Sequence, residues 1–209
     1  VEIANKFKIP VHVRSSFSEE EGTMVTIEDE EMEKYVVASV NYNRNEAKIT
    51  VAGIPDVPGM AASIFKPIAD ANIVVDMIIQ NASEEGMADL TFTVSRTDYN
   101  KTMELVKKVA KNLKAKEVRG DRNIAKVSVV GVGMRSHAGA ATTMFNALSS
   151  EGVNILMIST SEVKISCVIE EKYTELAVRV LHKAFGLEKG KKTSKMKTGS
   201  TGKKSTAKK

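Results

Sequence analysis

The chain has 209 residues, 42% of them hydrophobic, with no Trp and one cysteine. That is enough apolar material for one or two ordinary domains, with cores filled by Ile, Val, Leu, Met and Ala. A lone cysteine excludes an intrachain disulfide framework, and the sequence shows neither an apolar run near ~18 residues nor a signal-peptide pattern, so a soluble chain in the reducing cytoplasm, away from membranes, is expected. The net charge of +5 misleads: residues 189–209 hold nine lysines and no acid, and the rest carries 22 basic and 26 acidic side chains. A body with a balance of −4 lacks the clustered basic surface that binding to nucleic acid requires.

Val1–Lys8 has helical spacing, with Ile3, Ala4 and Phe7 on one face, and Pro10 stops it. A chain that opens in mid-element is expected to be a piece of something larger. Val11–Arg14 alternates like a strand, and the polar, acidic stretch Ser15–Met32 reads as a linker or exposed loop. Lys34–Tyr42, rich in Val and Tyr, predicts a strand, and Asn43–Glu46 a turn. There follow a strand 47–53, a helix 58–71, a strand 73–80, a turn at Ser83–Gly86, a strand 88–96, a helix 98–113 and a strand 115–119. This βαββαβ order is that of a ferredoxin-like α+β unit. Ala61, Ile64, Ile68 and Ala69 make the apolar face of its first helix, and Met103, Val106, Val109, Ala110 and Leu113 that of its second. Pro67 falls inside the first helix, where it removes a hydrogen bond and is expected to kink the axis.

The pattern then recurs as strand 124–132, helix 139–151, strands 154–159 and 162–170, and helix 172–185. Ala47 and Gly53 map onto Ala125 and Gly131 at an offset of 78, and Gly59 and Met77 onto Gly139 and Met157 at an offset of 80. The second copy stops before its last strand, while the strand 34–42 at the front has no partner. The spare strand is therefore expected to complete the second sheet, so that the first unit is inserted in the second. The expected divisions are 1–32 as a leading segment, 46–120 as the first unit, 34–42 plus 124–187 as the second, and 188–209 as a disordered basic tail.

Catalysis has little to draw on. His12, His137 and His182 have no Cys or carboxylate at metal-ligand spacing, Cys167 sits in an apolar strand pattern and reads as core, and Gly131-Val-Gly133-Met134 lacks the Lys-Ser/Thr of a phosphate-binding loop. No catalytic residue and no metal ligand is predicted. His182 reads as a surface residue, and His137 as a turn residue within reach of a ligand. Binding is better supported. Each repeat sets a turn between a strand and a helix start, with Gly59 or Gly139 just inside it. Glycine lets a ligand approach the backbone, and the free N–H groups of a helix start attract an anion. Asp56 beside the first turn can accept from a cation. An anion site next to a carboxylate is the minimum that holds a zwitterion, although each turn alone also reads as simple structure. Asp76 and Gln80, and Asn154 with Ser159–Glu162, are polar where apolar residues are expected; each reads as a strand-edge or turn residue, and as a set they can line a groove.

Val13-Arg-Ser-Ser-Phe17, Asp76-Met-Ile-Ile-Gln-Asn81, Lys126–Gly131 with Gly133-Met134, and Ile158-Ser-Thr-Ser-Glu162 resemble the regulatory region of aspartate kinase over roughly residues 1–187. The resemblance makes residues 1–32 the end of a kinase-type domain with its linker, and the two repeats tandem ACT domains. It implies feedback control, by L-threonine, L-lysine or both, of the ATP-dependent phosphorylation of L-aspartate in amino-acid biosynthesis. It also implies a homodimer through the ACT domains and a partnership with a catalytic kinase domain or α subunit. ATP and Mg belong to that kinase domain, which is absent here, so the chain is expected to hold no cofactor and to be inactive alone, as a separate β subunit or a truncated piece. Carried over by position, the effector contacts fall on Asp56, Gly59, Ala61, Val74, Val75, Asp76 and Gln80, and on Ala140, Ala141, Asn154, Ile155, Ser161 and Glu162. Asp76 and Glu162 suit a lysine ammonium, and Gln80 a neutral hydroxyl amino acid. Val74 stands where Asn is common, and Ala138 and Ala141 where Pro and Thr are common. The alternative from another class is a free-standing ACT-type amino-acid sensor with no kinase partner.

Overall fold

The structure is a computed structural model that describes residues 1–27, 36–82 and 86–188. The basic tail from Lys189, the first two residues of the strand predicted at 34–42, and Ser83–Glu85 of the predicted turn lie outside the described residues. A short helix α1 (Glu2–Lys6) buries none of its side chains, and Ile3 and Phe7 are exposed. β1 (Val11–Val13) pairs antiparallel with β2 (Thr23–Val25), from Val11↔Val25 to Val13↔Thr23. The stretch expected to be a linker therefore contains a strand: Thr23-Met-Val25 is short but β-prone, and β1 offers it a ladder.

The body is organised by two long strands where four short ones were expected. β3 runs unbroken from Ser39 to Pro55, and β6 from Glu117 to Val130. Their pairing holds one register from Ser39↔Val130 to Asn43↔Lys126 and another from Lys48↔Asp121 to Ala52↔Glu117, with shifts around Glu46. Asn43–Glu46 thus forms an irregularity in the ladder and not a reversal. Asn43 accepts from the Asn45 N–H (2.9 Å) and donates to Glu46 Oε1 (2.9 Å), so the extra residues find polar partners while the strand continues. Opposite, Asp121 accepts from the Asn123 N–H (2.9 Å), which keeps the polar stretch Arg119–Asn123 within β6.

Each half of this ribbon carries one unit. β5 (Met87–Val94) pairs with the second half of β3, and β4 (Val75–Ala82) with β5. β8 (Lys164–Glu170) pairs with the second half of β6, and β7 (Ile155–Thr160) with β8. The sheet order is β4-β5-β3-β6-β8-β7. Residues 39–43 serve as the fourth strand of the second unit, so the first is nested in the second, and the α+β ferredoxin-like architecture is observed twice.

Helices complete the units. α2 (Met60–Asp70) buries Ile64 and Ile68, and α3 (Tyr99–Asn112) buries Val106 and Ala110, against Ile49, Val51, Ile54, Leu90 and Phe92. α4 (Ala140–Ser150) buries Met144 and Leu148, and α5 (Thr174–Ala184) buries Ala177 and Leu181, against Val127, Val129, Cys167 and Ile169. Each large aliphatic among them contributes about 1.5–3 kcal/mol of burial, which is what fastens the helices to the sheet. Ala69, assigned by spacing to the apolar face, is exposed, whereas its neighbour Ile68 is buried. His182, expected at the surface, is half-buried on α5. α2 runs on through Pro67; the carbonyl that loses its partner belongs to Ser63, an exposed residue. A third cluster, Met77, Ile124, Met157 and Val168, joins the two units.

The repeat-related glycines serve different ends. Gly59 and Gly139 share one left-handed conformation (φ +92° and +103°). Gly131 is extended, but a Cβ there would collide with the backbone of Val36 and Val37, whereas its counterpart Gly53 sits at φ +62°.

Candidate functional site

Both helix starts are built alike. Gly59 and Gly139 are the N-caps of α2 and α4, neither helix has a side-chain cap, and the glycine carbonyls accept from Ser63 N (3.0 Å) and Thr143 N (2.9 Å). The Met60 N–H reaches the Val57 carbonyl at 3.4 Å; the other first-turn N–H groups are left to outside partners, at the positive end of the helix dipole. A side chain at either glycine would be strained, and nothing within 4 Å fills the space where its Cβ would stand.

At the second corner this helix start opens on a cleft of about 490 Å³. Gly139, Ala140 and Ala141 supply one wall and Thr160, Ser161 and Glu162 the other, with Arg135 and His137 on the connection and Met134 and Ile165 adding apolar surface. Arg135 Nε lies 3.3 Å from Glu162 Oε2, the arginine half-buried and the glutamate largely exposed. His137 Nδ1 is 2.8 Å from the Gly133 carbonyl, so this histidine is fixed by its own turn and faces the cleft as well. Ser161 is held in the β7–β8 turn by its N–H to the Lys164 carbonyl (2.7 Å). A cation, a carboxylate and open helix N–H groups thus meet in a volume typical of small-molecule sites.

The first corner is shallower in chemistry. The Asp56 N–H donates to the Gly86 carbonyl (2.9 Å), and the Asp56 carboxylate accepts from Gln80 Nε2 at 3.5 Å. Ala61 follows Gly59 in the first turn of α2. Asp76 is not turned to this corner. Its carboxylate is paired with Lys126 of β6, which also lies 2.9 Å from Glu46 Oε1.

The predicted set therefore divides. Ala140, Ala141, Ser161 and Glu162 share the cleft, and Asp56, Gly59, Ala61 and Gln80 share the first corner. Val74 and Asn154, both exposed, precede β4 and β7, while Val75 and Ile155 pack on the cores. Gln80 lies six residue steps along the strand from Val74, roughly 20 Å, and Ser161 seven steps from Asn154, so one small molecule cannot touch both ends within one chain. Thr160 belongs to the Ser159–Glu162 stretch read as groove-lining, whereas Arg135, Met134 and Ile165 went unrecognised as site residues in the sequence, as did the Lys126 pairing. Arg135 alone carried a signal, as a cation in the second, longer turn.

Among the described residues no group of three His, Cys, Asp or Glu side chains is placed to hold a metal, and no helix is long and apolar enough to cross a membrane. Cys167 is buried in the second core, and that burial pushes its thiol up to about 12. The hydrogen bond from Arg96 holds the Glu171 carboxyl below its ordinary range.

Residues 48–111 match the ACT domain family, and residues 127–185 match it again. The chain is similar to an aspartokinase of Pseudomonas aeruginosa, 55% identical over 190 residues that make up 90% of this chain and 46% of that protein. It thus spans about half the length of the curated relatives it matches. Among solved structures it is similar to a chain in a structure of aspartokinase alpha and beta subunits (51% identity, TM-score 0.68), covering 72% of this chain and 99% of that one. The regulatory subunit of aspartate kinase from Thermus thermophilus, in ligand-free form, is 40% identical with TM-score 0.68, again over 72% of this chain and 99% of that one. E. coli aspartokinase III, solved in complex with lysine and aspartate, is 25% identical with TM-score 0.66 over 87% of this chain and 40% of that one.

Proposed function

Because the chain belongs to the aspartokinase family, as its tandem-ACT regulatory region, we propose that it binds L-threonine, L-lysine or both at its strand–helix corners and so restrains an aspartate-phosphorylating partner. The observation that carries this reading is the cleft at the start of α4. The open N–H groups of Ala140 and Ala141 and the Arg135 guanidinium suit the carboxylate of an amino acid, and Glu162, 3.3 Å from Arg135, suits its ammonium. The lysine bound to E. coli aspartokinase III supports that class of ligand.

The separation of Val74 from Gln80 and of Asn154 from Ser161 is resolved if two chains contribute to each site. β4 and β7 are the two edges of the sheet, and Val74, Ile78 and Ile158 along them are exposed. A two-fold dimer that brings the first unit of one chain against the second of its mate covers these positions and sets one chain's strand start against the other's corner. An effector that binds this seam favours the closed arrangement only by its differential affinity for it, and the kinase domain or α subunit receives the change through the leading segment.

Calorimetric titration with L-threonine and L-lysine tests the reading. Saturable binding of at least one is expected. Glu162→Gln is expected to weaken it about 10-fold or more, the loss of one charge-assisted hydrogen bond at about 1.5–3 kcal/mol. Gln80→Ala is expected to weaken binding without unfolding the chain. Unchanged affinity for both amino acids in both variants would remove these residues from the site.

A further inference from the structure

His137 stands in the connection between β6 and α4 and lines the cleft at the second corner. Its Nδ1 lies 2.8 Å from the Gly133 carbonyl and 3.3 Å from Ser136 Oγ. A carbonyl oxygen only accepts, so Nδ1 carries the proton of the neutral ring and donates to Gly133. That leaves Nε2, across the ring, as a bare lone pair, and among the described residues no group bonds to it. The charged side chains that line the cleft with His137 are Arg135, on the same connection, and Glu162, from the β7–β8 turn; the start of α4 supplies Gly139, Ala140 and Ala141, which carry no charge.

The two repeats are unlike at this place. Counting back from the paired glycines at the offset of 80, His137 corresponds to Val57 and Arg135 to Pro55. Val57 is exposed at the first corner, where the neighbouring charge is the Asp56 carboxylate. Histidine is the side chain whose charge ordinarily changes between about pH 5 and 8. Such a group therefore stands at one corner and not at the other.

We propose that His137 is a proton-linked contact for the ligand carboxylate at the second corner, and that this corner, unlike the first, binds more tightly as pH falls. His137 is two residues from Arg135 and two from Gly139, so it stands at the cationic end of the cleft, the end that suits a carboxylate. With Nε2 bare, its lone pair repels a carboxylate. When Nε2 takes a proton from solvent, the ring becomes a cation and donates a charge-assisted hydrogen bond. Nδ1 donates to Gly133 in both states, so the turn keeps its shape while the charge changes. Binding and protonation then assist each other, and the ligand draws a proton onto the ring. The Glu162 carboxylate works in the opposite sense: as acid neutralises it, the ligand ammonium loses its partner and binding weakens. The sign of the pH dependence thus separates the two groups.

This inference rests on the effector reading above, and L-lysine and L-threonine, which share the α-carboxylate, are the probes. Each is titrated calorimetrically into the chain at about pH 7 and about pH 5.5, a window below the titration of an α-amino group and above that of a carboxyl group. At least one is expected to bind about 3-fold to 10-fold more tightly at the lower pH, since an exposed ring carries less than the full value of a charge-assisted hydrogen bond. Repeating the titration at about pH 6.5 in buffers of different ionisation heat is expected to show net proton uptake. His137→Asn controls for the turn, because its side-chain amide can donate to the Gly133 carbonyl in place of Nδ1 while nothing replaces Nε2. That variant, checked for a cooperative melt, is expected to lose both the gain in acid and the proton uptake. Affinity that is flat or falls from the higher pH to the lower, or a gain that survives His137→Asn, overturns the proton-linked contact and leaves the effector reading standing. Absence of saturable binding of both amino acids at both pH values overturns the effector reading and the contact together.

Discussion

Replacing Gly59 or Gly139 by alanine asks whether the two corners hold the shape that the binding account needs. Both residues cap a helix at φ +92° and +103° with ψ near −7°, beyond even the left-handed region that L-residues visit. Holding a Cβ there costs about 1–3 kcal/mol, and the lower conformational entropy of the unfolded alanine chain offsets roughly 0.4–1 kcal/mol of that. No atom lies within 4 Å of the added Cβ at either position, so steric clash adds nothing and the two losses should be equal, about 1–2 kcal/mol each. The sites belong to different cores, so the double variant should lose about 2–4 kcal/mol. Urea unfolding measures this directly, and in thermal melts each single change should lower Tm by about 2–8 °C. A single variant within about 0.3 kcal/mol of the parent, or a double variant far from the sum, would show that these helix starts are not the paired glycine corners described here.

Two further outcomes follow from the cores and the junction between units. The Cys167 thiol titrates near 12 in the folded protein, above its ordinary value of about 8.5 when unfolded. The native state then holds the proton longer, so this contribution is full below about pH 8.5 and is lost as pH rises toward 12; alkaline unfolding should be delayed in Cys167→Ala relative to its own neutral-pH stability, and a thiol reagent at neutral pH should label the parent only on unfolding. Arg96→Met removes the hydrogen bonds to Glu171 and to the Ile124 and Glu46 carbonyls, and the loss of the two part-buried carbonyl bonds alone should cost about 1–3 kcal/mol. Glu171 is held below its ordinary range in the fold, so its share of the stabilisation exists above the unfolded carboxylate pKa and is lost as pH falls through the folded one; the gap between Arg96→Met and parent stability should narrow in acid, as urea titrations across pH will show.

Much of the architecture was legible because it was written twice. The offsets of 78 and 80, the glycine at each helix start, and the missing last strand of the second repeat together required the nested order that β3 and β6 display. The junctions were not legible. Asn43–Glu46 and Arg119–Asn123 are polar and turn-like in composition, and only the pairing of β3 with β6 on either side of them, between residues some eighty apart in sequence, keeps them extended. Thr23–Val25 escaped notice for the same reason, since three residues show no periodicity and gain strand character only from β1. At the site, the helix-start glycines and Ser161-Glu162 could be read locally. Arg135 could not be assigned to Glu162, nor Lys126 to Asp76, because each pair joins segments whose approach is set by the tertiary fold.

The central claim is that the strand–helix corners receive a free amino acid, and amide chemical-shift mapping of the chain locates such binding most directly. Addition of L-threonine or L-lysine should move the amide signals of Ala140, Ala141 and Ser161, or those of Ala61 and Gln80, saturably and ahead of the rest of the chain. Saturable shifts confined to surfaces away from both corners, or none with either amino acid, would contradict the account.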